Sequence, residues 1–64
     1  MKTIDASEAY EMVRKGGKLF IGRNAAGSPK VKIIHGPFGL FVSRFKIDEQ
    51  QCRILKSKLS ENKH

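Results

Sequence analysis

Two helix-start signatures, one near each end of the chain, predict that the strands lie between them. Asp5 can cap a helix N-terminus, and Glu8, three residues later, completes a capping box. Asp48 and Gln51 repeat this spacing near the C-terminus. We therefore expect a helix after each signature, and the intervening residues decide the fold class.

The two predicted helices have matching hydrophobic patterns. In the first, Ile4 and Ala9 occupy the positions of a hydrophobic staple, and Gly16 with Gly17 ends the helix. In the second, the staple is Ile47 with Cys52. The apolar face of the second helix consists of Cys52, Leu55 and Leu59. Ile54 points away from that face, and we expect residues 60–64 to form a frayed tail.

Three strand candidates lie between the helices, at residues 18–23, 30–35 and 40–45. Residues 24–29 and 36–39 are rich in Gly, Pro, Asn and Ser, which is typical of turns. The predicted fold is α+β with the order α-β-β-β-α. It forms a three-stranded antiparallel β-meander, and both helices pack on one face of it. Residues 1–64 are expected to form a single small basic domain.

Strand alternation predicts which side chains face the solvent. Lys30 and Lys32 alternate with aliphatic residues, so they share a face. If the aliphatic sets face the helices, the open face displays three rings among lysines: Phe20, Phe41 and Phe45. The alternative is that these rings form the core and the strand faces are reversed, because a chain of 64 residues needs its aromatic side chains inside.

The middle of the chain is basic and aromatic. Residues 12–47 contain Lys and Arg but no Asp or Glu, and they include all four phenylalanines. The net charge is +7 and the isoelectric point is about 10.0. Cations attract phosphates and flat rings stack on bases, so this composition favours a nucleic-acid partner. Membrane binding is not expected, since the basic residues lie on strands and loops, and no run approaches roughly 20 apolar residues.

We expect the nucleic-acid contacts to come from the sheet face and from the loop between the first two predicted strands. In that loop, Arg23, Asn24 and Lys30 flank a Gly-Ser-Pro turn, which could equally be an ordinary solvated loop. Gly-Ser-Pro-Lys lacks the spacing of a P-loop. The candidate nucleic-acid-binding residues are Lys18, Phe20, Arg23, Lys30, Lys32, Phe41, Arg44 and Lys46.

The turn at residues 36–39 and the residues after it resemble the glycine–aromatic hairpin of the C-terminal repeats of bacterial type IA topoisomerases. Members of that family use such repeats to hold single-stranded DNA. The likeness is limited to Gly36, Phe38, Gly39, Phe41 and Val42, and the proline is displaced from the family's position. We do not assign the chain to the family on this basis.

The order α-β-β-β-α is also that of double-stranded RNA-binding domains. Their basic Lys-Lys-x-Ala signature at the last helix is absent here. That helix instead begins with Asp48 and Glu49, which would repel a phosphate, so this mode of binding is disfavoured.

The residue types that usually carry catalysis or bind metals do not form a recognisable set. Cys52 is the single cysteine and is expected to behave as a small buried hydrophobe. His35 and His64 make no ligand pair by spacing, so we expect no metal and no cofactor. The serines with no evident His or Lys partner are Ser7, Ser28 and Ser43, and the chain is therefore expected not to be an enzyme.

Two functions from different classes remain. The first is a small non-enzymatic protein that binds DNA or RNA, single-stranded or duplex, with low sequence specificity. The alternative is a protein-binding inhibitor or adaptor, of the phage or bacterial mobile-element accessory type, that docks on an acidic protein. The N-terminus has no secretory pattern, so we expect a cytoplasmic protein that is a monomer or a small homo-oligomer.

Overall fold

The computed structural model describes residues 2–61 and has the element order β-α-β-β-β-α, with a 3-10 turn before the last strand. The elements are β1 (Thr3–Ile4), α1 (Ala6–Arg14), β2 (Lys18–Arg23), β3 (Pro29–His35), the 3-10 turn (Pro37–Gly39), β4 (Phe41–Ile47) and α2 (Glu49–Glu61). The α+β class and both predicted helices are confirmed.

The sheet is mixed and has four strands in the order β1-β4-β3-β2. The antiparallel meander of β2, β3 and β4 is confirmed. The predicted count of three strands is wrong, because Thr3 and Ile4 form β1 and pair in parallel with Lys46 and Ile47 of β4. Two residues are too few to show an alternating pattern, so the sequence carried no strand signal there.

The two helix starts differ in their capping. At α1, the carboxylate of Asp5 accepts a hydrogen bond from the Glu8 amide at 2.8 Å, which confirms this predicted cap. At α2, Asp48 accepts from the amide of Gln50 at 3.3 Å. Gln51 does not complete a second capping box; instead its side-chain oxygen accepts from the Ala6 amide at 3.0 Å and links the two helix starts.

Both helices pack on one face of the sheet and form a single core with it. The buried residues are Ile4, Ala6, Ala9, Val31, Ile33, Ile47, Cys52 and Leu55. Cys52 is a buried free thiol within this core, in agreement with its predicted role as a small hydrophobe. Ile54 is 39% exposed, so it lies off the apolar face of α2 as expected. The helix continues through Glu61, and the rest of the predicted tail, 62–64, lies outside the described residues.

The face assignment of β4 differs from the prediction. Phe45 pairs with Val31 and Phe41 pairs with His35, so both phenylalanines lie on the helix side of the sheet. The expectation that they lie on the open face is therefore wrong. The reason is that β4 continues to Ile47, whose side chain is buried; alternate residues share a face, so Ile47 brings Phe45 to the same side. Phe20 pairs with Lys32 on the open face, as predicted.

Candidate nucleic-acid interface

The face of the sheet opposite the helices, here called the outer face, is built from three rows of cross-strand neighbours. Successive rows are two residues apart along each strand, which corresponds to about 6.6 Å. In the order β2, β3, β4, the rows are Lys18, Ile34, Val42; then Phe20, Lys32, Arg44; then Gly22, Lys30, Lys46. Thr3 of β1 extends the last row beyond Lys46.

The outer face carries an excess of positive charge, and Asp48, which follows β4, lines a depression together with Lys30 and Lys46. No residue of the four strands is acidic, whereas five outer-face positions are Lys or Arg. Lys32 lies directly opposite Arg44, and Lys30 lies directly opposite Lys46. Like charges in such cross-strand pairs are destabilising, and no carboxylate in these strands offsets them. A bound polyanion would relieve this repulsion.

Phe20 is the aromatic residue of the outer face. Its side chain is half exposed, and the Lys32 ammonium lies 5.3 Å from the ring centroid in cation–π geometry. Beside it, a depression of about 350 Å³ is lined by Gly22, Lys30 and Arg44, among others. An accessible ring next to a depression bordered by cations is the combination that base stacking beside phosphate contacts requires.

Arg23 lies on the helix side, at the end of β2. Its guanidinium donates to both carboxylate oxygens of Glu49, at 2.7 and 2.9 Å, and also to the Gly27 carbonyl at 2.7 Å. The hydrogen bonds from Arg23 hold the pKa of Glu49 below its usual range, and Glu49 in turn raises the pKa of Arg23. Arg23 therefore ties the β2–β3 loop to the first turn of α2 and is not directed at the outer face.

An exposed group of apolar side chains, here called the apolar tip, lies at the turn before β4 and at the first residue of β4. It consists of Phe38, Leu40 and Phe41, which are 99%, 71% and 56% exposed. The ring of Phe41 packs over Gly36, and it stacks against His35 with 5.9 Å between the ring centroids. Phe41 is thus exposed, as expected from the sequence, but it belongs to the apolar tip.

His35 and Ser43 form a contact that the sequence did not reveal. The Nε2 atom of His35 and the Oγ atom of Ser43 are 2.8 Å apart across β3 and β4. The expectation that Ser43 has no histidine partner is therefore wrong. Within residues 2–61 no carboxylate hydrogen-bonds to His35, so the pair lacks the third group that orients the imidazole in a catalytic triad.

The structure brings together six of the eight predicted site residues on the outer face: Lys18, Phe20, Lys30, Lys32, Arg44 and Lys46. Arg23 and Phe41 lie on the other side of the sheet. The candidate set did not include the remaining outer-face positions, Gly22, Ile34 and Val42. Alternation indicates the first two, because Gly22 follows Phe20 by two residues and Ile34 follows Lys32 by two. It did not indicate Val42, because the predicted faces of β4 were the reverse of the observed ones.

In the part of the chain that the structure describes, neither helix is long and apolar enough to cross a membrane. Among the same residues, no group of three or more His, Cys, Asp or Glu side chains is placed to hold a metal ion. No family model, curated protein or solved structure matches the chain.

Proposed function

We propose that the protein is a non-enzymatic, cytoplasmic module that binds nucleic acid through the outer face of its sheet. The observation that carries the proposal is the direct pairing of Lys32 with Arg44 and of Lys30 with Lys46 on strands that contain no acid. This arrangement disfavours folding when nothing is bound, and it is relieved by the closely spaced negative charges of a phosphate backbone.

The division of roles follows from the chemistry of the side chains. The lysines and Arg44 contact phosphates, and the half-exposed ring of Phe20 stacks on a base. Sequence specificity is low, because phosphate contacts carry no base information. The two helices do not insert into a groove, since the first turns of α1 and α2 carry Glu8 and Glu49, which repel phosphates.

The direct test is fluorescence anisotropy with a mixed-sequence single strand and with its duplex, at 50 and 200 mM salt. We expect binding that weakens with salt, with a slope of log K against log salt of about −0.7 to −0.9 for each phosphate neutralised. The comparison of the two probes also shows which strand form is preferred. Absence of binding to both probes at 50 mM salt would contradict the proposal.

A charge-reversal pair tests the surface itself. Lys30→Glu combined with Lys32→Glu is expected to abolish binding and to leave the fold intact, since each glutamate would face a cation on β4. The matched control is Arg53→Glu combined with Lys56→Glu, which makes the same charge change at exposed positions of α2. Equal losses in both variants would show that net charge, rather than the outer face, governs binding.

The apolar tip favours a second candidate function, docking on an acidic protein partner as an inhibitor or adaptor of the phage or mobile-element accessory type. Phe38 and Leu40 are large apolar side chains that are 99% and 71% exposed, and exposed apolar patches mark protein interaction sites. The two candidates differ in one measurable respect. A protein-binding factor would show little affinity for mixed nucleic acid at 50 mM salt, whereas the proposed module would bind it.

A further inference from the structure

Gly22 interrupts the outer face at the next-to-last residue of β2, where a side chain would be accommodated. Its backbone is not in the left-handed region that requires glycine, unlike Gly16, Gly27, Gly36 and Gly39. A Cβ atom placed on Gly22 would meet no atom within 4 Å. Glycine inside a strand weakens it, and it often marks a place where another molecule approaches the backbone closely. Neither backbone conformation nor packing explains this glycine.

Gly22 lines the depression beside Phe20, together with Arg23, the last residue of β2. Phe20 precedes Gly22 by two residues on the same face, and Lys30 lies directly opposite Gly22 on β3. Lys32 and Arg44 border the depression as well. Because β2 is the last strand of the sheet, the depression lies beside a free edge. An occupant would therefore meet a ring and a bare backbone, with cations along one side.

We propose that this depression receives one unpaired nucleobase, which lies over Gly22 and stacks on the ring of Phe20 while Lys30 and Arg44 contact the adjacent phosphates. The inference rests on the proposed function and makes it more specific. A base in an intact duplex is stacked on both sides and paired, so it cannot enter the depression. The substrate class is therefore nucleic acid with unpaired bases, in preference to duplex.

Filling the depression tests this proposal without changing any charge. Gly22→Val places a branched side chain where the base would lie, and Gly22→Ala fills it in part. We expect the valine variant to bind a 12-nucleotide thymidine single strand at least about fivefold more weakly, and the alanine variant to show a smaller loss. Duplex binding and the salt dependence of binding should stay as in the wild type, because the cations are untouched.

Two further variants separate stacking from general steric effects. Phe20→Leu keeps an apolar side chain but removes the ring, so it should reproduce the loss of single-strand affinity. Ile54→Val removes one methylene group from an exposed apolar side chain of α2, away from the outer face, and it should leave binding unchanged. Thermal melts identify variants that remain folded; β-branched residues suit strands, so the melting temperature of Gly22→Val should be unchanged or higher.

The results also separate this inference from the proposed function. Wild-type single-strand affinity in a folded Gly22→Val variant, or equal losses for single strand and duplex, would overturn the base subsite. In both cases the Lys30 and Lys32 substitutions would still test the outer face as the general binding surface. If the wild-type protein binds neither probe at 50 mM salt, both proposals fail together.

Discussion

At the residue scale, Phe38 combines two unfavourable features. Its backbone is in the left-handed region, with φ of 60°, and its side chain is 99% exposed. For residues other than glycine and asparagine, that conformation costs about 1–2 kcal/mol. An exposed ring has no packing energy to offset this cost, so the phenylalanine at residue 38 does not stabilise the fold.

Phe38→Asn is therefore expected to stabilise the protein. Asparagine tolerates the left-handed region, and the substitution removes no buried contact, so the free energy of unfolding should rise by about 0.5–1 kcal/mol. Urea denaturation monitored by circular dichroism measures the change. A decrease in stability would show that the ring of Phe38 packs against the rest of the protein in solution.

Gly36→Ala is expected to have the opposite effect. Gly36 has φ of 83°, and a Cβ atom there would clash with Cδ2 of the Phe41 ring. Backbone strain and this clash together should lower the free energy of unfolding by about 2–3 kcal/mol. Gly27→Ala is the matched control, because Gly27 has φ of 86° but no atom within 4 Å of the added Cβ. Equal losses in the two variants would argue against the packing of Phe41 over Gly36.

At the element scale, the pair formed by Arg23 and Glu49 connects the sheet to α2. Both side chains are about half exposed, and the guanidinium makes two hydrogen bonds to the carboxylate. A third hydrogen bond, to the Gly27 carbonyl, holds the loop between β2 and β3 in the same arrangement. Arg23 thus connects the end of β2, the loop between β2 and β3, and the start of α2.

The pair predicts how stability depends on pH. The hydrogen bonds from Arg23 lower the folded-state pKa of Glu49, so its contribution to stability is present above the unfolded pKa and is lost as pH falls through the folded value. Wild type should therefore melt at a higher temperature than Glu49→Gln at pH 7, and this difference should shrink as pH falls below about 4.3. A difference that is the same at pH 7 and pH 3 would show that ionisation of Glu49 contributes nothing.

At the scale of the whole molecule, the fold has two layers, the helices and the sheet, and the outer face of the sheet is uncovered. The principal extents are 33 × 27 × 16 Å, and both helices lie on the same side of the sheet. Within residues 2–61, no element covers the outer face. The cations of the outer face belong to β2, β3 and β4, so they lie side by side only when these strands pair.

β1 joins the beginning of the described chain to the end of β4, and the side chain of Ile4 is 3% exposed within the core. Ile4→Ala is expected to lower the free energy of unfolding by about 2–4 kcal/mol, a large fraction of the stability of so small a domain. Urea denaturation measures this loss. Thr3→Ala is the control, since Thr3 is exposed on the same strand; a comparable loss there would show that burial of the Ile4 side chain does not account for the effect.

Local signals predicted most of the elements. Asp5 and Asp48 indicated both helix starts, since a capping interaction involves neighbouring residues only. The bounds of β2 and the outward direction of Lys30 and Lys32 followed from composition and alternation. Lys18, Phe20, Lys30 and Lys32 share the outer face for the same reason, whereas Arg44 and Lys46 lie there because the faces of β4 are the reverse of the predicted ones. β1 was missed because its pairing joins distant parts of the chain.

The sequence alone determined the number of helices, the antiparallel meander and the basic character of its solvent-facing strand positions, because these depend on interactions between near neighbours. Only the tertiary structure decided which face of β4 is buried, since both sets of alternate residues in that strand are partly apolar. It also decided the partner of Arg23, the contact between His35 and Ser43, and the open space at Gly22. Each of these depends on residues far apart in sequence that come together only when the sheet and helices pack.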